Sequence, residues 1–160
     1  MKKVLTILIV CSTLLTTGCK KDTTSANLSS GKSQISASVS GTVSSSFSSS
    51  ILVSTVAKST DLINVSGGTA SVPIQQFMFI LPANIAVGTY TFSTLPSNSI
   101  INVTYTNGGT GWAAGEGDNF TLRVTTATAT DLEATFSGTL KNDTDKTTVT
   151  VTNGKLAAKY

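Results

Sequence analysis

Apolar residues alternate with serine and threonine along much of the chain beyond position 34, and this period of two is the strongest constraint on the fold. The apolar residues Ile35, Ala37 and Val39 occupy every second position, and serines occupy the positions between them. Such alternation is typical of a β-strand with one buried face. The chain contains 22 serines and 28 threonines, and the β-branched threonine suits a pleated, half-exposed surface. The sequence therefore predicts an all-β domain.

The same alternation recurs in later segments, which begin near positions 62, 72, 90, 101, 120, 132 and 149. No segment beyond the N-terminal apolar run has a helical period. Short strands separated by turns about every ten residues favour an antiparallel arrangement. We predict an antiparallel β-sandwich of about nine strands, with a lipocalin-like closed barrel as the alternative.

Several local features refine this prediction. Phe47 follows a run of serines and is interpreted as a core residue at the start of a strand. The apolar phase shifts at Gln75-Gln76, which predicts a β-bulge. Residues 77–81 are all apolar, so this strand is expected to lie centrally with both faces covered. Asn153-Gly154 predicts a tight turn or bulge, because this pair favours positive φ angles.

The N terminus has the order of a bacterial lipoprotein signal. A basic start, Lys2-Lys3, precedes an apolar run at 4–15, and Gly18 stands directly before Cys19. The apolar run is too short for a membrane-spanning helix, which needs ~20 residues. We predict that residues 1–18 are a signal peptide and that the lipidated Cys19 becomes the first residue of the mature protein.

The signal departs from the common pattern at one position, because Thr16 stands three residues before Cys19 where leucine is usual. Cys11 is a poorer candidate, since Val10 is too large for the residue before a cleavage site. Residues 19–33 are polar and lack apolar periodicity, so we interpret them as the lipidated N terminus and a flexible tether. Residues 34–160 then form a single all-β domain.

Composition excludes several classes of chemistry. Histidine is absent and the only cysteines are Cys11 and Cys19. With Cys19 lipidated, no free thiol remains, which excludes histidine- or cysteine-based catalysis, imidazole metal sites and disulfides. We assign no catalytic residue and expect a non-enzymatic protein without a cofactor. Removal of the signal leaves nine cations and eight anions, too balanced a charge for nucleic-acid binding.

Four short sequence motifs can be considered together. They are GTY at 88–90, TFSGTL at 135–140, VTVTNGKL at 149–156 and CKKD at 19–22. Together they resemble a family of small, β-rich lipoproteins of Bacteroidota whose domain has no known function. The resemblance implies an outer-membrane lipoprotein with a sandwich-like domain, and it implies no catalytic residue. Lys20 also favours the outer membrane, because retention at the inner membrane usually requires aspartate there. Whether the domain faces the periplasm or the cell surface is left open.

Residues 107–119 form the most unusual segment, with five glycines and the only tryptophan, Trp112. Glycines allow close approach of the backbone to a ligand, and an indole can stack on a sugar. Trp112, assisted by Tyr105, is therefore a candidate glycan-binding platform on a loop. In the alternative interpretation Trp112 packs as a hydrophobic plug, with its N–H bonded to a carbonyl.

Four carboxylates are weak calcium candidates. Glu116 and Asp118 lie in the same glycine-rich segment, and Asp143 and Asp145 lie in the turn near 141–146. Ca²⁺ takes six to eight oxygen ligands, whereas each pair supplies only two carboxylates. Ordinary turn chemistry explains aspartate and asparagine equally well here, so we assign no metal site.

Three functions fit these observations. The leading hypothesis is a lipid-anchored envelope protein whose domain binds another envelope component or a surface ligand without catalysis. The second is a glycan-binding accessory lipoprotein that uses Trp112 and Tyr105. The third is a pilin-like or adhesin subunit that assembles by strand addition, which requires a missing strand and an open apolar groove.

Overall fold

The structure is a computed structural model that describes residues 33–49 and 54–160. The predicted signal peptide, Cys19 and nearly all of the tether lie outside the described residues, as do the apolar residues 51–53. In the part of the chain that is described, no helix is long and apolar enough to cross a membrane.

The described chain is built from β-strands and one 3-10 turn, at Phe92–Thr94. The all-β prediction is confirmed, although the structure has eleven strands where about nine were expected. The strands are β1 Gln34–Gly41, β2 Ser45–Ser48, β3 Ser54–Lys58, β4 Leu62–Gly68, β5 Gln75–Pro82, β6 Gly88–Thr91, β7 Asn102–Asn107, β8 Thr110–Ala114, β9 Phe120–Ala127, β10 Asp131–Lys141 and β11 Thr148–Lys159.

The strands form one curled antiparallel sheet in the order β2-β1-β11-β10-β8-β7-β5-β4-β3. β9 pairs with β10, and β6 pairs with β9. β10 is opposite β9 from Leu132 to Gly138 and is then paired with β8 at Lys141 and Ala113. The sheet therefore divides into two halves at the end of β10. One half holds β6, β9, β10, β11, β1 and β2, and the other holds β8, β7, β5, β4 and β3.

The two halves face each other across an aromatic core. The ring centroid of Phe77 in β5 lies 4.9 Å from that of Phe47 in β2 and 5.5 Å from that of Phe136 in β10. Burial of each such ring contributes about 1.5–3 kcal/mol. Phe47 is 1% exposed, so its predicted place in the core is confirmed. The facing halves give a sandwich arrangement, and within the described residues β2 and β3 are not paired into a closed barrel.

The alternation that predicted the strands also defines which face is buried. Ile35, Ala37 and Val39 of β1 point into the core, and the serines between them lie on the outer face. Phe120 and Leu122 of β9 are likewise buried, with Arg123 exposed beside them. The outer surface is therefore rich in hydroxyl groups, as the threonine content indicates.

Two predictions about β5 are wrong. The strand pairs with β4 and β7 without a register shift, so there is no bulge at Gln75-Gln76. The apolar phase changes because Val72 and Ile74 precede the strand and are 91% and 64% exposed. In addition, Met78 and Ile80 are only partly buried on the outer face, so β5 lies inside the sheet but has one buried face rather than two.

The bulge predicted at Asn153-Gly154 is confirmed. Ser36 of β1 pairs with Lys155, whereas Ser38 pairs with Thr152, so β11 contains one extra residue at this point. The same shift appears on the β10 side of the strand. Asn153 has a φ of 54°, a left-handed conformation that asparagine tolerates better than most residues. The strand bends here and continues to Lys159.

Candidate functional site

The glycine-rich segment is part of a β7–β8 hairpin as far as Ala114, and its remaining residues form the turn before β9. Tyr105 in β7 and Trp112 in β8 are opposite each other in the register, and their stacked rings are 5.9 Å apart between centroids. The exposed fractions of the two side chains are 0% and 2%. Neither ring presents a face to solvent, so the sugar-stacking platform predicted for these residues does not exist in this geometry.

The indole of Trp112 packs in the core, as the plug interpretation expects. Its Nε1 donates a hydrogen bond of 3.0 Å to the hydroxyl of Thr147, where a backbone carbonyl was expected. Thr147 lies in the turn between β10 and β11. The hydrogen bond therefore joins the β7–β8 hairpin to the other half of the sandwich.

The hydroxyl of Tyr105 has a comparable structural role. It donates to Oε1 of Gln75 at 2.9 Å, and the same oxygen accepts a hydrogen bond of 2.8 Å from the hydroxyl of Ser45. Nδ2 of Asn107 donates to the tyrosine hydroxyl at 3.4 Å. This network links β2 with β5 and β7 and satisfies the polar tip of a buried ring.

Of the calcium candidates, Asp118 is buried, with 7% of its surface exposed. One of its carboxylate oxygens accepts a hydrogen bond of 2.7 Å from the backbone N of Gly115, and the other forms an ion pair with Lys141. Its oxygens are therefore used to fix the turn before β9 to the end of β10. Glu116, in the same turn, is exposed.

Asp143 and Asp145 lie in the exposed turn between β10 and β11. Oδ1 of Asp145 accepts hydrogen bonds from the hydroxyl and the backbone N of Thr147, at 2.6 and 2.9 Å. These bonds favour the ionised carboxylate and hold the pKa of Asp145 below its usual value. Nowhere in the described ranges do three or more acidic, histidine or cysteine side chains come together as a metal site.

A depression of about 410 Å³ lies on the outer face of β9, β10 and β11, at a place where no sequence motif predicts a site. We call it the Thr135 depression, after the residue in the middle of its central row. Thr135 pairs with Arg123 on β9 and with Lys155 on β11. The backbones of the two cations are about 10 Å apart, because neighbouring strands are separated by ~4.8 Å.

The Thr135 depression has a mixed lining, in which polar groups stand among a larger apolar surface. Phe136 and Gly154 line it together with hydroxyl and amide side chains. The bulge in β11 bends the strand beside this surface and places Asn153 on the exposed face. The polar side chains that line the depression are Thr121, Arg123, Thr135, Ser137, Asn153 and Lys155.

These six polar side chains have no hydrogen bond or ion pair to any residue in the ranges 33–49 and 54–160. Other outer-face hydroxyls are engaged, since Thr125 donates to the carbonyl oxygen of Glu133 and Thr126 donates to its carboxylate. The Thr135 depression therefore combines two positive charges with a set of uncommitted donors and acceptors. Chemically, this arrangement suits an anionic, hydroxylated ligand.

The fold and these sites were compared with known proteins. Family models, curated proteins and solved structures all gave no match. The chain's own residues are therefore the basis on which a function is inferred.

Proposed function

We propose that this chain is a lipid-anchored protein of the bacterial outer membrane whose β-sandwich binds a ligand without catalysis. The observation that carries the proposal is the N-terminal order of a basic start, a short apolar run and Gly18-Cys19. A membrane-spanning helix needs a longer apolar run than this, whereas a lipoprotein signal does not. The bound lipid is then the membrane partner of the protein.

The position of Ser33 supports this arrangement. β1 starts beside the end of β11, with Gln34 paired to Ala157, and the backbone N of Lys159 donates to the hydroxyl of Ser33 at 3.2 Å. A lipid on Cys19 would hold this end of the sandwich within roughly 20 Å of the bilayer, the reach of a 14-residue coil. The outer sheet faces and the opposite end would then be accessible to a ligand.

The geometry supports the glycan-binding and the pilin-like hypotheses less well. A glycan platform on Trp112 and Tyr105 would need exposed rings, and both rings are buried. Strand addition would need an apolar groove, but the inward residues of the described strands already pack against each other across the core. A non-enzymatic binding domain is therefore the function that we retain.

The test is metabolic labelling of cells that produce the full chain with an alkyne-tagged fatty acid. We expect the wild-type chain and Cys11→Ala to carry the label, and Cys19→Ala to lose it and to keep a longer N terminus by mass spectrometry. Label that persists in Cys19→Ala, or that disappears in Cys11→Ala, would show that the assignment of the anchor is wrong.

A further inference from the structure

We propose that the Thr135 depression binds an acidic saccharide, with the carboxylate of the sugar held between Arg123 and Lys155. This inference rests on the proposed binding function and names its ligand class. Uronic acids have the required chemistry, because they combine one carboxylate with several hydroxyl groups. The proposal follows from charge, from hydrogen-bonding capacity and from the shape of β11.

The charge of the depression selects an anion. Arg123 and Lys155 flank Thr135 on neighbouring strands, and no carboxylate lines the depression with them. A guanidinium can donate two parallel hydrogen bonds to a carboxylate, and an ammonium adds a second positive charge. A carboxylate above Thr135 would lie within reach of both long side chains.

The hydroxyl and amide groups select a ligand that is itself rich in hydroxyls. Thr121, Ser137 and Asn153 surround the charged row, and their side chains are uncommitted within the described residues. Each hydroxyl can both donate and accept a hydrogen bond, and the amide can do the same. A bare inorganic anion would leave most of this capacity unused, whereas a sugar ring beside its carboxylate would use it.

The bulge gives the depression its form. The positive φ of Asn153 costs energy relative to an extended residue, and such conformations often occur at functional positions. The volume of about 410 Å³ lies at the low end of the ~300–1,000 Å³ typical of small-molecule sites. It suits a ligand of one or two sugar units rather than a long chain.

Glu133 limits how much negative charge the ligand can carry. It lines an adjoining depression that shares Thr135 and Lys155 with the first, and its carboxylate accepts a hydrogen bond from Thr126. A second acidic group that extended in this direction would meet a like charge. We therefore expect a preference for a single carboxylate over densely charged polymers.

The experiment is an NMR titration of the full ¹⁵N-labelled chain in mild detergent. Three probes are compared. The first is a disaccharide of one galactose and one galacturonic acid, the second is the neutral disaccharide of two galactose units, and the third is inorganic phosphate. We expect the acidic disaccharide to shift the amides of residues 121–123, 135–137 and 153–155. Lys155→Gln and Arg123→Gln should each weaken binding roughly fivefold. Lys159→Gln, which removes the same charge from the same strand outside the depression, should leave it unchanged.

Three outcomes would overturn the inference. The first is an absence of shifts at these amides, and the second is equal weakening by Lys155→Gln and Lys159→Gln. The third is equal binding of phosphate or of the neutral sugar, which would mean that the carboxylate and the hydroxyls are not recognised together. None of these results affects the fatty-acid labelling of Cys19, so failure of this ligand is distinguishable from failure of the anchor.

Discussion

At the scale of single residues, two glycines permit close contacts that a larger residue would prevent. A Cβ on Gly154 would overlap the ring and the carbonyl oxygen of Phe136, and a Cβ on Gly138 would overlap the carbonyl oxygen of Asn119. Gly138 also has a φ of 136°, which side chains rarely adopt. Gly138 lies where β10 changes partners, and Gly154 lies at the bulge in β11. The two glycines therefore allow the sheet to bend at these points while the core stays closely packed.

Gly154→Ala should therefore destabilise the fold. We expect the free energy of unfolding to fall by about 1–3 kcal/mol, because the added methyl overpacks the contact with Phe136. The measurement is urea denaturation of the full chain followed by circular dichroism. Gly111→Ala is the matched control, since a Cβ there meets only ordinary van der Waals contacts, and it should change stability by less than about 0.5 kcal/mol. Equal effects of the two changes would contradict this account.

At the scale of elements, the end of β10 joins the two halves of the sandwich through few interactions. Lys141 pairs with Ala113 of β8 and forms an ion pair with Asp118, which also accepts a hydrogen bond from the backbone of Gly115. Because Asp118 is nearly buried, its carboxylate has lost water and depends on these partners. The turn before β9 is thereby fixed to the strand that changes partners.

We expect Asp118→Ala to lower the free energy of unfolding by about 1–3 kcal/mol, the range for loss of charge-assisted hydrogen bonds at a buried position. Asp143→Ala removes the same charge from an exposed position and should change stability by less than about 0.5 kcal/mol. Thermal unfolding of both variants at one ionic strength provides the comparison. If Asp118→Ala were as stable as Asp143→Ala, the junction would not depend on this carboxylate.

The sequence predicted individual elements best where one face of a strand is buried. Ile35, Ala37 and Val39 alternate with serines, and β1 is formed as expected. The sequence analysis did not predict β8, because Gly111 and the two adjacent alanines of this segment are typical of a loop. Its strand conformation depends on pairing with β7. Tertiary pairing therefore overrides a weak local preference.

At the scale of the whole molecule, the candidate site could not be predicted because it depends on register. Arg123, Thr135 and Lys155 are separate in the sequence, and only the pairing of β9, β10 and β11 brings them into one row. Alternation does predict that each points outward. It does not predict which residues are neighbours across strands. A shift of two residues in strand register would keep the same faces buried, but Arg123, Thr135 and Lys155 would no longer be neighbours.

The composition also has a consequence for the response of the whole domain to pH. The described residues contain neither histidine nor cysteine, the side chains that ordinarily titrate between the carboxylates and tyrosine. Hydrogen bonds from Thr147 lower the pKa of Asp145, so its stabilising contribution is present above pH 3.8 and is lost as the pH falls through the lower, folded-state pKa. The stability of the domain should therefore be nearly constant from about pH 5 to 9.

The alkaline limit of this plateau should depend on Tyr160. Burial, with a smaller contribution from the negative charge of Asp131, raises the pKa of its hydroxyl above 10.0. The folded state thus favours the neutral phenol, and the neutral phenol in turn contributes to the stability of the folded state. This stabilisation is fully present below pH 10 and is lost as the pH rises through the folded-state pKa. Urea denaturation from pH 8 to 11.5 should show a smaller alkaline loss of stability in Tyr160→Phe than in the wild-type chain. Parallel pH curves for the two proteins would mean that the phenol ionises equally easily in the folded and unfolded states.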